Sequence, residues 1–228
     1  KPEQIFTVLA LSAGLMLCFL APLCTGISWD DETHYIRSVQ VFSNLTQADI
    51  VMQHYAYQNP LKFSFSVDVL GERSAYLNDL YQNSQFAYMN TNTSIESLDV
   101  YRRMGYYLPG AVIFLGRLLR LPFVSVFLLG KTSILLCYVA LVRVAIKRLK
   151  TGKMILATIA LFPTGVFLAS NYSCDSWITA WVMVGMSYFF AQLQEPDQPL
   201  TVKDTIIIMG SLVLGLGPKA IYFPLFAL

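Results

Sequence analysis

The run IFTVLALSAGLMLCFLAPLCTGI, from Ile5 to Ile27, carries no charged residue and decides the fold class. A hydrocarbon core of ~30 Å needs about 20 apolar residues in a helix, whereas a signal peptide has a shorter apolar region and a small-residue cleavage site. The run therefore reads as a membrane span. It ends against Trp29-Asp30-Asp31-Glu32-Thr33-His34-Tyr35-Ile36-Arg37, so a polar cluster begins where the span stops. Carboxylates at such a rim can meet both an aqueous acceptor and a substrate whose tail stays in lipid.

Composition extends this reading to the whole chain of 228 residues, of which 55% are hydrophobic and only 13% charged. Those values lie outside the profile of a soluble domain and indicate an integral membrane protein. A net charge of +2 is too small to argue for nucleic acid. Its placement is informative: Arg143, Lys147, Arg148, Lys150 and Lys153 form a run without an acid, while the segment 28–105 holds nine acids against five bases. Under the positive-inside rule the first is cytoplasmic and the second external. Of the four cysteines, Cys18 and Cys137 fall in apolar spans and Cys24 and Cys174 near the outer surface, with no spacing that indicates a disulfide.

Apolar windows place the first transmembrane helix within 1–27 and further spans at about 122–146, 154–171, 176–193 and 204–217, with an incomplete one from about 219. The expected organisation is an all-α, multi-span helical bundle at 122–228, truncated at its C-terminus, preceded by a small external subdomain at 28–105. The stretch 106–121 is too short to cross, and a full crossing would put the basic run on the acidic side. It reads as an interfacial or re-entrant helix with Arg117 and Arg120 near the headgroups. Within 28–105, Lys62 to Val69 alternates like a strand and Thr93 with Glu96 has capping-box spacing. Asp175 is placed to cap the helix that follows it, and the loop around Pro196 looks connective.

The cluster at 29–37 admits three readings. Acids in the first turn of an external helix oppose its dipole favourably. Asp30, Asp31 and His34 are types that ligate divalent cations, although their spacing indicates no particular metal. A rim carboxylate can also take a proton from an acceptor hydroxyl. Elsewhere, Lys131 lies inside a span, where an ammonium requires a cavity or partner unless it snorkels, and Gly215, Gly217 and Pro218 break an apolar run just before Lys219.

Asp30-Asp31-Glu32-Thr33-His34-Tyr35-Ile36-Arg37 resembles the Asp-Glu-x-x-His-aromatic-x-Arg motif of the bacterial membrane-protein family called domain of unknown function 2142. Tyr107-Leu108-Pro109, Leu115-Gly116-Arg117-Leu118-Leu119, Leu129-Gly130-Lys131, Phe162-Pro163-Thr164, Ser173-Cys174-Asp175 and Pro218-Lys219-Ala220-Ile221-Tyr222 resemble further elements of that family. The family in turn looks related to GT-C class glycosyltransferases, which use polyprenyl-phosphate sugars. The resemblance implies a GT-C-like fold in the cytoplasmic membrane with its active site on the extracellular or periplasmic side. It makes Asp30 the base and Asp31 its acidic neighbour. His34, Arg37, Lys131, Asp175, Lys219 and Tyr222 become substrate-binding candidates. Asp31 stands where the family has Glu, and Lys131 where it often has Arg, which loses a bidentate grip on phosphate.

The expected function is transfer of a sugar from a lipid-linked donor to an envelope polysaccharide or glycolipid. The alternatives are a transporter or flippase of a lipid-linked saccharide and a non-catalytic scaffold. Expected partners are the donor, the acceptor and membrane lipid, without nucleic acid; the cofactor is left open, with a divalent metal compatible with the residues but not indicated by them. The charge asymmetry makes a topological prediction: in a cysteine-free background, single cysteines replacing Lys150 and Asn83 will react from opposite faces of the membrane. Labelling of both from one side of intact cells refutes the span count.

Overall fold

The computed structural model describes residues 1–20, 31–50, 100–195 and 197–219, and the account that follows concerns these. Their helices are α1 (Pro2–Leu20), α2 (Asp31–Phe42), the short α3 (Val100–Arg103), α4 (Tyr107–Leu118), α5 (Phe123–Arg148), α6 (Lys153–Ala160), α7 (Pro163–Ala169), α8 (Cys174–Leu193) and α9 (Val202–Leu216), with a 3-10 turn at Met104–Tyr106. No strand occurs among the described residues. The expected strand at 62–69, the Thr93–Glu96 cap, Cys24, Asp30, Pro196 and Tyr222 lie outside them.

The bundle is organised around α5, which packs against α1, α4, α6, α7 and α8, while α9 packs on α8. Helix α5 has 26 apolar-rich residues, and at 1.5 Å each it is about 39 Å long. By length and composition, Pro2–Phe19 and Phe123–Arg148 are the two described helices able to cross a membrane. Helix α4, with 12 residues, rises only about 18 Å. It ends in a Schellman turn, in which Leu121 N–H donates to the Gly116 carbonyl and Arg120 N–H to that of Arg117. Arg120 occupies the left-handed position at φ 55°.

The apolar run expected as one span at 154–171 is two helices, α6 and α7, separated at Leu161–Phe162. Pro163 has no N–H and its ring clashes with the preceding turn, so the helix stops and restarts with proline in its first turn. The break leaves carbonyls needing donors. Phe162 N–H reaches the Ile159 carbonyl at 3.2 Å, and the Tyr138 hydroxyl of α5 donates to the Ala160 carbonyl at 2.8 Å. Side-chain substitution of this kind is what permits a broken helix inside a bundle.

At one end of the bundle the basic run folds back on the 194–204 segment. Arg148 pairs with Asp204 at 3.3 Å and Lys150 with Glu195 at 3.1 Å, and Gln194 Oε1 accepts from the Lys150 and Thr151 amides. The loop read as connective thus supplies Glu195 to Lys150, and the first turn of α9 supplies Asp204 to Arg148.

At the other end, α2 lies across α4. Gly110 permits the close approach: a Cβ there would sit 2.5 Å from the Ser38 carbonyl oxygen. Beyond α2, Thr46 and Asp49 form a reciprocal cap, with Thr46 N–H donating to Asp49 Oδ2 at 2.6 Å and Asp49 N–H facing Thr46 Oγ1 at 3.4 Å. The fully buried Asp49 carboxylate also accepts from the Tyr35 hydroxyl at 2.7 Å and from Arg117 Nη2 at 2.7 and 2.8 Å. Arg117 Nη1 donates to the Asn44 carbonyl. Arg117, expected among the headgroups, is therefore drawn inward, because a buried carboxylate demands a cation and donors. Burial, followed by the adjacent Asp49 charge, pushes the Tyr35 hydroxyl well above its ordinary range. Removing one partner of such a pair strands the other, so Asp49→Ala will destabilise the protein by about 3 kcal/mol. Thermal unfolding in detergent checks this; a loss below about 1 kcal/mol would reduce the network to a solvated surface pair.

Candidate functional site

Three segments meet at the end of the bundle opposite the basic run: α2, the turn 104–106, and the start of α8 together with the residues after α9. Helix α2 aims successive side chains into two environments. Tyr35 enters an aromatic cluster with Phe127 and Tyr172, at ring-centroid distances of 4.9 and 5.1 Å. His34, also buried, faces the other way, and its Nδ1 lies 2.6 Å from the Tyr106 hydroxyl. The Ser38 hydroxyl donates to the His34 carbonyl one turn on, at 2.8 Å.

Tyr106 is the junction of the polar cluster. Arg37 and Cys174 stand near enough to influence its hydroxyl, and burial, the largest influence, pushes its pKa well above the ordinary phenol value. The hydroxyl accordingly stays protonated at any physiological pH. Gly105 lets the turn approach α8: a Cβ there would lie 3.0 Å from Cys174 Cβ.

Ser173 caps α8 by accepting from the Asp175 N–H at 3.1 Å. This corrects the expectation that Asp175 is the cap. The Asp175 carboxylate instead receives the Lys219 ammonium at 2.5 Å, with both side chains a little over one-third exposed. Lys219 is set in place by the end of α9. A helical Leu214 carbonyl would accept from the N–H of residue 218, but Pro218 has none. The Trp177 indole N–H donates to that carbonyl instead, at 2.8 Å. The chain then makes a 3-10 turn over 217–219 that delivers Lys219 to Asp175.

The structure thus brings His34, Arg37, Asp175 and Lys219 together around Tyr106 and Cys174. Lys131 belongs to the adjoining aromatic cluster: it is 1% exposed, and its ammonium lies 5.7 Å from the Phe127 ring centroid. That burial excludes snorkelling to the interface. The Asp31 side chain, like Asp30 and Tyr222, is outside the described residues. Beneath the cluster, Leu108, Pro109, Cys137, Ser176 and Trp177 help line a crevice of about 10 Å³, room for about one water. Sequence reasoning passed over Cys174 as a site residue. The side chains carry no motif of their own, and only packing aligns them. Among the described residues no group of three His, Cys, Asp or Glu side chains is arranged to hold a metal.

The family model described as Predicted membrane protein (DUF2142) matches residues 11–228, through the segment 28–105 as well as the motifs. No curated protein and no solved structure matches the chain.

The carbonyl freed by Pro218 makes the α9 terminus sensitive to Trp177. Trp177→Phe keeps an aromatic ring but removes the donor, and a buried carbonyl left unsatisfied costs about 1–3 kcal/mol. Thermal unfolding will show that loss, and Trp177→His, which restores a ring N–H, will recover part of it. Equal losses in the two variants would assign the cost to packing.

Proposed function

The chain belongs to the Predicted membrane protein (DUF2142) family, and from that premise we propose that it is a glycosyltransferase acting on lipid-linked sugars at the rim of the membrane. The observation that carries the proposal is the cluster in which the motif residues His34 and Arg37 meet Asp175 and Lys219 through Tyr106 and Cys174. The motif begins at Asp30, immediately before α2, where the first apolar run gives way to polar sequence. Basic side chains stand beside it, and one of them, Lys219, is held by an exposed carboxylate that a phosphate can replace as partner.

In this reading Asp30 takes the proton of an acceptor hydroxyl as that oxygen bonds to the anomeric carbon of the donor sugar. The bond from sugar to phosphate breaks, and the polyprenyl phosphate leaves with its electron pair. Arg37 and Lys219 offset the charge on the departing phosphate. Asp31 supports Asp30, and Tyr222 follows Lys219 closely enough in sequence to face the sugar. Lys131, buried beneath α2, supports the site from the aromatic layer.

A general base contributes roughly 10²–10⁴-fold, so Asp30→Asn will lower sugar transfer at least ~100-fold in membranes that hold normal amounts of protein. Lys219→Met will weaken binding of a polyprenyl phosphate about tenfold, the loss expected when one charge-assisted hydrogen bond is removed. Near-normal transfer by Asp30→Asn refutes the base. Loss of lipid-saccharide translocation without loss of transfer would assign the site to a flippase.

A further inference from the structure

We propose that Arg143 and Lys147 hold the headgroup of one anionic phospholipid in the leaflet at the C-terminal end of α5, with its acyl chains laid along that helix. In the structure the basic run divides into two halves. Arg148 pairs with Asp204 and stands over the Tyr188 ring, and Lys150 pairs with Glu195, so these two fasten α5 to the 194–204 segment. Arg143 and Lys147 are exposed, and no hydrogen bond or ion pair joins either to another of the described residues. Four residues apart on a helix, their side chains are neighbours on one face, and like charges at that spacing are destabilising until an anion meets them. The helix dipole does not account for the pair. Its attraction for cations fades beyond the last turn, and Arg143 lies more than one turn before the helix end at Arg148.

The surface that leads to the two cations is apolar. Leu129, Leu136, Ala140, Arg143 and Lys147 follow at helical steps that keep them on one face, and all are exposed, as is Val144 beside them. At 1.5 Å per residue, Leu136 lies about 10 Å and Leu129 about 21 Å from Arg143 along the axis, so the stripe spans the ~15 Å hydrocarbon depth of one leaflet. Helix α5 exceeds a ~30 Å core by about 9 Å, which places its last turns at the boundary. There long basic stems lie on hydrocarbon while their heads reach phosphate. A phosphatidylcholine headgroup carries its own cation and offers no net charge, whereas phosphatidylglycerol brings a negative charge to two cations that lack one. A soluble acidic partner has no use for the apolar stripe, and a further apolar helix none for the cations. An anionic lipid meets both.

This site lies at the end of α5 away from the polar cluster, and its test asks nothing of sugar transfer. Val144→Trp places a fluorophore beside both cations in the full chain. Its emission, read as the difference from the parent chain, is measured in phosphatidylcholine bilayers containing brominated phosphatidylglycerol or brominated phosphatidylcholine. A basic side chain near the membrane surface favours anionic lipid about fivefold, so quenching beside Val144→Trp will favour phosphatidylglycerol by about fivefold to thirtyfold. Arg143→Gln together with Lys147→Gln, which keep polar stems without charge, will bring that ratio to about one. Leu193→Trp reports from an exposed position next to Gln194, which binds the Lys150 and Thr151 amides at the same end of the bundle, and will show a lower ratio than Val144→Trp.

Equal ratios at the two positions assign the preference to a diffuse field and overturn the site. An unchanged ratio after the two Gln substitutions overturns it as well. Quenching by neither lipid beside Val144→Trp shows a face covered by protein, which refutes a lipid occupant. The unaltered chain supplies a second measurement that no misfolded variant can compromise: native mass spectra from mixed micelles will retain phosphatidylglycerol over phosphatidylcholine, and equal retention of the two refutes the proposal.

Discussion

The constraint on which the rest depends is that every backbone carbonyl freed inside the bundle must find a donor. Two prolines, Pro163 and Pro218, remove N–H groups from apolar helices, and water cannot make good the loss in a membrane interior. The Ile159 carbonyl is met locally by the Phe162 N–H, and neighbouring helices supply the rest: Tyr138 of α5 donates to the Ala160 carbonyl exposed by the break and Trp177 of α8 to that of Leu214. These two bonds fix where α7 restarts and where the chain turns after α9. They thereby set the positions of the Ser173–Asp175 turn and of Lys219. The polar cluster is a consequence of how broken helices are repaired.

Helix α2 is attached to this frame by two contacts of different character. The Asp49–Arg117 pair, with Tyr35 and Thr46, is a buried ionic clasp whose value lies less in net stability than in the penalty for leaving either partner alone. The His34–Tyr106 hydrogen bond is smaller in energy and more directional. The clasp sets where α2 lies on α4, and the hydrogen bond sets how its motif face meets α8. Because Tyr35 and His34 are consecutive, one helix turn couples the aromatic cluster over Lys131 to the polar cluster around Tyr106.

Under the proposed function, this arrangement serves an anionic, lipid-borne substrate. Lys219 is a little over one-third exposed and engaged by Asp175, so its charge is available by exchange, while Lys131 is buried beside the Phe127 ring. The two lysines, equivalent on a sequence reading as intramembrane charges, hold different positions for a reason of packing. One follows a proline break at a helix end; the other lies mid-helix on the buried face of α5.

The sequence by itself determined what depends on local composition and period: the membrane class, the helical character, the polar stretch after the first apolar run, and the interruption before Lys219. Apolar run length and charge asymmetry are one-dimensional properties, and the family motifs lie in single short stretches. Some signals were present in the chain but overlooked, such as the Thr46–Asp49 capping spacing and the power of Pro163 to divide a span. Tertiary structure alone decided that Arg117 turns inward to Asp49, that Asp175 binds Lys219, and that Tyr106 meets His34. Those partners are separated by 44 to 72 residues, and such pairings follow from which helix faces pack together and which orphaned polar groups must be satisfied there.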